Sequence, residues 1–243
     1  GTPADQAKAD AETVMKVETA LAKNHWDRVK SRDDTLTYNR HTVEELVNLA
    51  PNFAWVEFGA ALGVPHVEAV IVRQPDYFKA MSKLVEETPL DAWKTWLKYR
   101  VLRDASPMLS KPFVDESFAF FGKTLTGVPE NKARWKRGVA LVEGALGEAV
   151  GKLYVEKHFP PAAKARMQEL VKNLIEAYRV DIQALDWMSP ETKTKALDKL
   201  AKFTPKIGYP DKWRDYSKLE IRRDDLVGNA RRAEAFELER NLG

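Results

Sequence analysis

Histidine is the commonest ligand of hydrolytic zinc, and this sequence of 243 residues contains four histidines: His25, His41, His66 and His158. A hydrolytic zinc site needs three protein ligands and an open position for water. No two of these histidines are four residues apart, and the motif His-Glu-x-x-His, which places two ligands on one helix face, does not occur. His41 and Glu44 are close in sequence, but Thr42 has the position of a helix N-cap, so the pair spans a helix start. We therefore expect the histidines to be surface or core-edge residues, and we predict no metal ligand and no catalytic residue in this chain.

Other catalytic and ligand-binding patterns are also missing from the sequence. The chain has no cysteine, which excludes disulfides, thiolate metal sites and cysteine nucleophiles within it. It has no Gly-x-Ser-x-Gly motif, and the glycines between Gly144 and Gly151 lie inside a predicted helix rather than in a phosphate-binding loop. Three acidic pairs are predicted to be solvated turns or helix caps, with a catalytic carboxylate dyad as the alternative: Asp33–Asp34, Glu86–Glu87 and Asp224–Asp225.

A basic cluster surrounds Trp135 and consists of Lys132, Arg134, Lys136 and Arg137. Such charges can contact nucleic-acid phosphates while the aromatic ring stacks on a base. However, Trp135 also begins the apolar stripe of a predicted helix, so we expect it to be buried and the charges to form a solvated helix flank. The formal net charge of the chain is only +3. We predict no nucleic-acid partner.

Helical spacing of apolar residues dominates the sequence, and the predicted fold class is mainly α, a multi-helix lobe with a few short strands. In the first part of the chain we predict a helix from the Thr2-Pro3 start to about Val29, a short helix opened by a Thr42/Glu45 capping box, a helix over 52–62 closed by Gly63, and a strand over 67–72. Helices resume at Pro75 and at Thr88-Pro89. The aromatic residues of the following segments are predicted to fill a helical core: Trp93, Trp96, Tyr99, Phe113, Phe118, Phe120 and Phe121.

The longest predicted helix runs from about Pro129 to about His158. Gly144, Gly147 and Gly151 share one side of it, and the cost of glycine in a helix suggests that another helix approaches closely there. Next come a helix through Met167 and Leu185, a helix from the Ser189-Pro190 cap to Pro205, an extended turn over 206–210, and a final helix capped by Asp224.

A change of composition at 127–129 divides the predicted elements into two segments, 1–127 and 128–243. The sequence contains no apolar run of transmembrane length, and its N-terminus lacks the features of a signal peptide. We therefore predict no membrane span in this chain.

Several motifs in order resemble the neprilysin family of zinc metallopeptidases, which includes the bacterial oligopeptidase O enzymes. They are Val17-Glu18-Thr19-Ala20-Leu21-Ala22, Arg134-Trp135-Lys136-Arg137, Leu146-Gly147-Glu148-Ala149-Val150-Gly151-Lys152-Leu153-Tyr154, Leu185-Asp186-Trp187-Met188, Lys206-Ile207-Gly208-Tyr209-Pro210 and Trp213-Arg214-Asp215-Tyr216. The resemblance covers nearly all of the chain.

The resemblance implies a metalloendopeptidase that hydrolyses peptides with zinc, whose ligands lie outside this chain. A thermolysin-like catalytic lobe with His-Glu-x-x-His would follow Gly243, and a further segment would precede Gly1. The present chain would be mostly the helical lobe that caps the active-site chamber, with residues 128–243 leading toward the catalytic lobe. Its partners would be peptide substrates and the C-terminal catalytic portion, in the same polypeptide or as a separate chain.

The absence of cysteine, with glycine at position 138, resembles bacterial members of the family, which implies a periplasmic or cell-surface location. The alternative hypothesis is a non-catalytic helical binding or scaffold module, because the sequence contains no site chemistry of its own.

Overall fold

The chain folds mainly into α-helices, as the computed structural model, which describes residues 2–242, shows. It divides into two compact units, the first formed by residues up to 131 together with those from 238 onward, and the second by residues 132–237. The predicted fold class, mainly helical with a few short strands, is confirmed. The division predicted at 127–128 stays a prediction, because compactness does not show which segments serve which role.

The first unit contains seven helices and two strands among its described residues. They are α1 (Ala4–Ala22), α2 (Asp34–Thr37), β1 (Arg40–Thr42), α3 (Val43–Leu49), α4 (Trp55–Ala61), β2 (Ala69–Ile71), α5 (Pro75–Glu87), α6 (Leu90–Ala105) and α7 (Lys111–Ser117). Single 3₁₀ turns occupy Lys30–Arg32 and Ser106–Met108, and a π-helical segment, Phe118–Thr124, follows α7. The strands β1 and β2 pair antiparallel, with His41 opposite Val70.

Helix α1 packs on α6 and supplies two of the buried apolar residues of the first unit, Val14 and Val17. The indole Nε1 of Trp96 donates a hydrogen bond to Glu18 across this contact at 2.7 Å. The same carboxylate lies 3.7 Å from Arg100. The contact between α1 and α6 therefore combines apolar burial with a paired carboxylate.

Local capping rules predict α3 correctly. The Thr42 hydroxyl accepts the Glu45 amide at 3.1 Å, and the Glu45 carboxylate accepts the Thr42 amide at 2.7 Å. The hydrogen bond from that amide lowers the pKa of Glu45. Gly63 has φ of +79°, a left-handed conformation that favours glycine, and it follows α4 as predicted.

Several predicted helix starts in the first unit are wrong. The N-cap positions of α1 and α6 are occupied by Pro3 and Pro89, so the preceding threonines do not cap these helices. Pro3 and Pro89 have ψ of 147° and 139°, outside the helical region, so each helix starts one residue further than predicted. Helix α4 begins at Trp55 instead of position 52, because the Asn52 amide donates to the Ser82 hydroxyl instead.

Helix α1 also ends seven residues before the predicted Val29. The Asn24 side chain donates to the Ala20 carbonyl at 2.8 Å and so satisfies a carbonyl of the last turn. Asp27 then accepts the amides of Val29 and Lys30, which starts the 3₁₀ turn. Strand β2 is likewise shorter than the predicted strand over 67–72.

The second unit contains α8 (Arg134–His158), α9 (Pro161–Ala184), α10 (Pro190–Ala201) and most of α11 (Leu226–Leu242). Helix α8 begins at Arg134 rather than Pro129. Ser189 caps α10 as predicted, but the helix ends at Ala201, before Pro205. Asp225, and not the predicted Asp224, caps α11, since its carboxylate accepts the Gly228 amide at 2.9 Å.

The loop over residues 206–216 contacts several helices of the second unit, and we call it the Gly-Tyr-Pro loop. Its anchor on α9 is Lys164, whose side chain is only 11% exposed. The Lys164 ammonium donates to the Tyr209 carbonyl at 2.8 Å and to Asp211 at 2.7 Å. Gly208 has φ of +75°, and a Cβ there would lie 2.8 Å from the Phe159 ring, so no other residue fits.

The same loop is anchored on α8 through Glu148. This carboxylate accepts the Arg214 amide at 2.6 Å, and the Arg214 guanidinium lies 3.6 Å from it and also pairs with Glu237 of α11. The Trp213 ring packs on Gly151, lying 3.6 Å from where a Cβ would be. The Gly-Tyr-Pro loop thus connects α8, α9 and α11.

We predict that Thr42→Ala lowers the free energy of unfolding by about 1 kcal/mol, because an N-cap hydrogen bond is lost. Urea titration measures this change. The matched control is Ser110→Ala, since Ser110 occupies the N-cap of α7 without making a side-chain cap bond. Equal effects of the two substitutions would show that the capping box does not stabilise α3.

We predict that Lys164→Met lowers the free energy of unfolding by about 2 kcal/mol, because the Tyr209 carbonyl loses its buried donor. Methionine keeps most of the aliphatic length, so packing changes little. Lys172→Met, an exposed position on the same helix, is the control and should have little effect. A denaturation midpoint that is the same for both variants would reject the anchoring role of Lys164.

Candidate functional site

The four histidines lie in separate local environments. His25 stacks on Tyr77 with ring centroids 4.2 Å apart, and His158 lies against Tyr154 at 4.9 Å. His41 is in β1, where its Nδ1 is 3.1 Å from the Asn39 carbonyl, and His66 is exposed in the loop before β2. Among residues 2–242, no group of three or more histidine, aspartate or glutamate side chains is arranged to hold a metal ion. That the chain carries no catalytic or metal-binding residue stays a prediction.

The His41/Glu44 pair spans a helix start, as predicted, because Thr42 is the N-cap of α3. Glu45, one residue further, makes the cap bond. Near His25, partial burial raises the pKa of the Tyr77 phenol, and the negative charge of Glu18 raises it further. A phenol with a raised pKa stays protonated at neutral pH and is therefore a poor general base.

The acidic pairs are predicted to be turns or caps, and two of them contain caps. Asp33 caps α2 by accepting the Thr35 amide, and hydrogen bonds from the Thr35 hydroxyl and amide lower its pKa. The Gly228 amide and the Arg232 side chain likewise lower the pKa of Asp225. In the third pair, Glu86 accepts a hydrogen bond from the Asn52 side chain. Carboxyl groups with lowered pKa values are ionised at neutral pH, which does not suit a general acid.

The basic cluster at the start of α8 differs from its prediction in one respect. Trp135 is 67% exposed, so the prediction that it is buried is wrong. Lys136 lies over its ring, with the ammonium 5.4 Å from the ring centroid, and Arg137 donates to the Lys132 carbonyl. Trp135 begins the apolar stripe of α8, and no described element covers that stripe. This explains why Trp135 is exposed although the sequence predicts burial.

The first unit contains a large aromatic groove, with a volume of 1240 Å³, between α1, α5 and α6. Trp93 and Trp96 lie edge to face in it, 5.5 Å apart. Glu18 and Arg100 are also among its lining residues, but they pair with each other and with Trp96. The groove can bind apolar side chains, and its Glu18 carboxylate already has Trp96 and Arg100 as partners. Sequence reasoning missed it, because its walls come from segments far apart in the chain.

The predicted close approach at the glycine side of α8 is wrong for the described chain. The predicted aromatic core is formed only in part, because five of its members are half-buried: Trp93, Trp96, Tyr99, Phe118 and Phe121. Phe113 and Phe120 are 45% and 50% exposed. No atom lies within 4 Å of a Cβ built on Gly144 or Gly147, and Gly151 faces a tryptophan ring instead of a helix. The sequence has the apolar pattern of a packed helix, but its partner is not among the described residues.

Helix α9 shows the same feature most clearly, since it has two adjacent apolar faces. One face, with Val171 and Ile175, lies toward α10 and the loop that follows it. The other face is open, and its apolar side chains are 42–54% exposed: Met167, Leu170, Leu174 and Tyr178. The open face of α9 is therefore a surface that can bind a large apolar partner.

The exposed surface of the whole chain supports this conclusion. It amounts to 18700 Å². Two compact units of these sizes would together expose only about 13,000 Å², even if they did not touch each other. The buried apolar residues within the described chain are few: Val14, Val17, Leu46, Ala50, Val72 and Ala233. The helices therefore present more apolar surface than they cover for each other.

Comparison with known proteins finds relatives that include a neprilysin and a neutral endopeptidase. Neprilysin of Oryctolagus cuniculus is 30% identical over 226 residues, covering 87% of this chain and 30% of the rabbit protein. Neutral endopeptidase of Lactobacillus helveticus is 27% identical over 212 residues, covering 87% of this chain and 33% of that protein. The chain therefore spans well under half the length of these relatives.

Solved structures show the same relationship. The zinc metalloprotease Zmp1 of Mycobacterium tuberculosis, in an open state, is 48% identical with a TM-score of 0.89, and the match covers 100% of this chain and 38% of that one. PepO from Lactobacillus rhamnosis HN001 has a TM-score of 0.82 at 23% identity, over 98% of this chain and 39% of that one, which shows the shared fold.

A family model described as Peptidase family M13 matches residues 1–210, which is most of the chain. The predicted resemblance to the neprilysin family is confirmed by this match and by the names of the relatives. The chain belongs to peptidase family M13.

Proposed function

We propose that this chain is the helical lobe of a zinc metalloendopeptidase that hydrolyses peptides, with the zinc ligands and all catalytic residues outside these 243 residues. Family membership and the name of the M. tuberculosis zinc metalloprotease support the activity. The residues present do not fit a zinc site, because no suitable group of ligands occurs among residues 2–242. The chain would contribute shape and surface rather than reacting groups.

The observation that carries this proposal is the uncovered apolar surface of the helices. A self-sufficient helical domain covers its apolar stripes, whereas the stripes of α8 and α9 stay open, with Leu153 65% and Leu170 54% exposed. The remainder of a longer polypeptide can cover these faces. The lobe would then enclose an active-site chamber and limit access to peptides rather than folded proteins.

The partners in this proposal are peptide substrates and the catalytic portion, in the same polypeptide or as a separate chain. No helix in the described part of the chain is long and apolar enough to cross a membrane. We place the complete protein in the periplasm or at the cell surface of a bacterium. Neither the structure of this chain nor its charge favours a nucleic-acid partner.

A second candidate function is a non-catalytic helical binding or scaffold module. The aromatic groove of the first unit favours it, since a groove of 1240 Å³ with an apolar lining can bind a partner without any chemistry. The two candidates differ in what the intact protein contains, namely zinc and peptidase activity.

We predict that the intact protein binds zinc stoichiometrically and cleaves an internally quenched fluorescent peptide, and that a chelator abolishes cleavage. The 243-residue chain alone should bind no zinc above background and cleave nothing. Metal analysis and the fluorescence assay measure both properties. An intact protein without zinc would reject the peptidase proposal, and zinc-dependent cleavage by the chain alone would reject the location of the site.

We predict that Leu174→Glu destabilises the intact protein by more than about 2 kcal/mol, because it removes a buried leucine from the lobe contact and desolvates a charge. The same substitution should change the isolated chain little, since Leu174 is 48% exposed there. Denaturant titration of both forms measures the difference.

The matched control is Asn173→Glu, an exposed neighbour that points about 100° away on the same helix. Asn173→Glu should change the free energy of unfolding little in both the intact protein and the isolated chain. If Leu174→Glu is no worse than this control in the intact protein, the open face of α9 is not covered by the rest of the polypeptide.

A further inference from the structure

Helix α8 is interrupted in its middle. Leu146 has φ of −131° and ψ of 33°, which is outside the helical region, although residues on both sides of it are helical. Gly144 and Gly147 flank this position, and glycines are among the few identifiable causes of a helix kink. No atom lies within 4 Å of a Cβ built on either glycine, so no described neighbour requires a glycine at these two positions.

A hydrogen bond on the C-terminal side of the interruption supports it independently. In a regular helix the amide of residue 148 would donate to the carbonyl of residue 144. Here the Glu148 amide donates to the Tyr216 hydroxyl at 3.2 Å, in the Gly-Tyr-Pro loop. The tyrosine thus supplies an acceptor to a main-chain amide two residues after the interruption.

The two halves of α8 are held differently. The C-terminal half is fixed by the bonds of Glu148 to Arg214 and by the Trp213 ring on Gly151. In the N-terminal half, Trp135, Val139 and Val142 are 67%, 47% and 47% exposed. Within the described chain, one half is therefore anchored to the other elements of the second unit. The other half has little packing of its own and would move together with whatever covers its apolar stripe.

From this asymmetry we propose that Leu146 and its flanking glycines form a hinge, about which residues 134–145 turn relative to the anchored half of α8. The hinge is a conformational device of this chain and does not depend on zinc or on catalysis. Tyr216 stabilises the bent state because it binds the Glu148 amide that a straight helix would use internally.

The test is a distance measurement along α8 in the intact protein. Spin labels are attached at Lys136→Cys and Lys157→Cys, two exposed positions, and no other cysteine occurs in these 243 residues. Any cysteine elsewhere in the polypeptide is replaced. A straight helix separates these two Cα atoms by about 31 Å. Double electron–electron resonance then measures the distribution of distances.

The wild-type protein should show a broad distribution centred below the straight-helix distance. Gly144→Ala with Gly147→Ala should narrow the distribution and shift it toward about 31 Å, because alanine favours the helix and clashes with nothing. Hydrogen exchange of amides 146–149 should slow by at least about fivefold. The control is Gly138→Ala, which also has open space around it but lies away from the kink.

An unchanged distribution in the double variant, or an equal change in the Gly138→Ala control, would overturn the hinge. If the double variant does not fold, each single alanine variant should narrow the distance distribution by a smaller amount. Single variants that leave the distribution unchanged would reject the proposal. Tyr216→Phe is an independent check, since loss of the hydroxyl should shift the distribution in the same direction as the alanines. These measurements need no peptidase activity, so their failure is distinct from a failure of the proposed function.

Discussion

The apolar faces of the helices must be covered, and the described chain covers only part of them. Burial of apolar surface is the dominant favourable term in folding, and helices gain most of their stability from packing. Helix α9 shows the consequence within one element, because Val171 lies toward the loop that follows α10, whereas Leu174, less than one turn away, is 48% exposed. Apolar side chains are similarly exposed along α8 and at Phe113 and Phe120 after α6, so these segments also present apolar surface that the described chain does not cover. The proposal of a peptidase lobe follows from this surface and from family membership.

Local interactions were predictable from the sequence because they involve neighbours. The Thr42/Glu45 capping box, the Ser189 cap and the left-handed Gly63 depend on residues at most three positions apart, and the structure contains each of them. The helix starts near Pro3 and Pro89 were displaced because the proline itself occupies the cap. Burial was not predictable in the same way. A stripe such as that of Trp135 and Val139 shows that a helix needs a partner, but it does not show whether that partner lies within the sequence at hand.

Some of the motifs that identify the family hold helices of this chain together. The Gly-Tyr-Pro loop joins α8, α9 and α11 through Lys164, Glu148 and Arg214, each of which is hydrogen-bonded or ion-paired there. A buried ammonium needs partners, and Lys164 has them in a backbone carbonyl and a carboxylate. Sequence similarity therefore rests here on the framework that holds the lobe together. That framework allowed the family to be recognised from residues that hold the helices together.

The contact between Lys164 and the Tyr209 carbonyl also affects which substitutions the neighbouring positions tolerate. A hydrogen bond to a main-chain oxygen is indifferent to the side chain on that residue, so phenylalanine at 209 would keep the bond and the ring contacts with Phe159 and Trp213. Position 208 has no such freedom, because both its φ of +75° and the nearby Phe159 ring exclude a Cβ. In natural variants of this sequence, position 208 should therefore stay glycine, whereas position 209 should accept other aromatic residues. This difference arises because the Lys164 ammonium binds a main-chain carbonyl, whose position depends on the backbone and not on the side chain at 209.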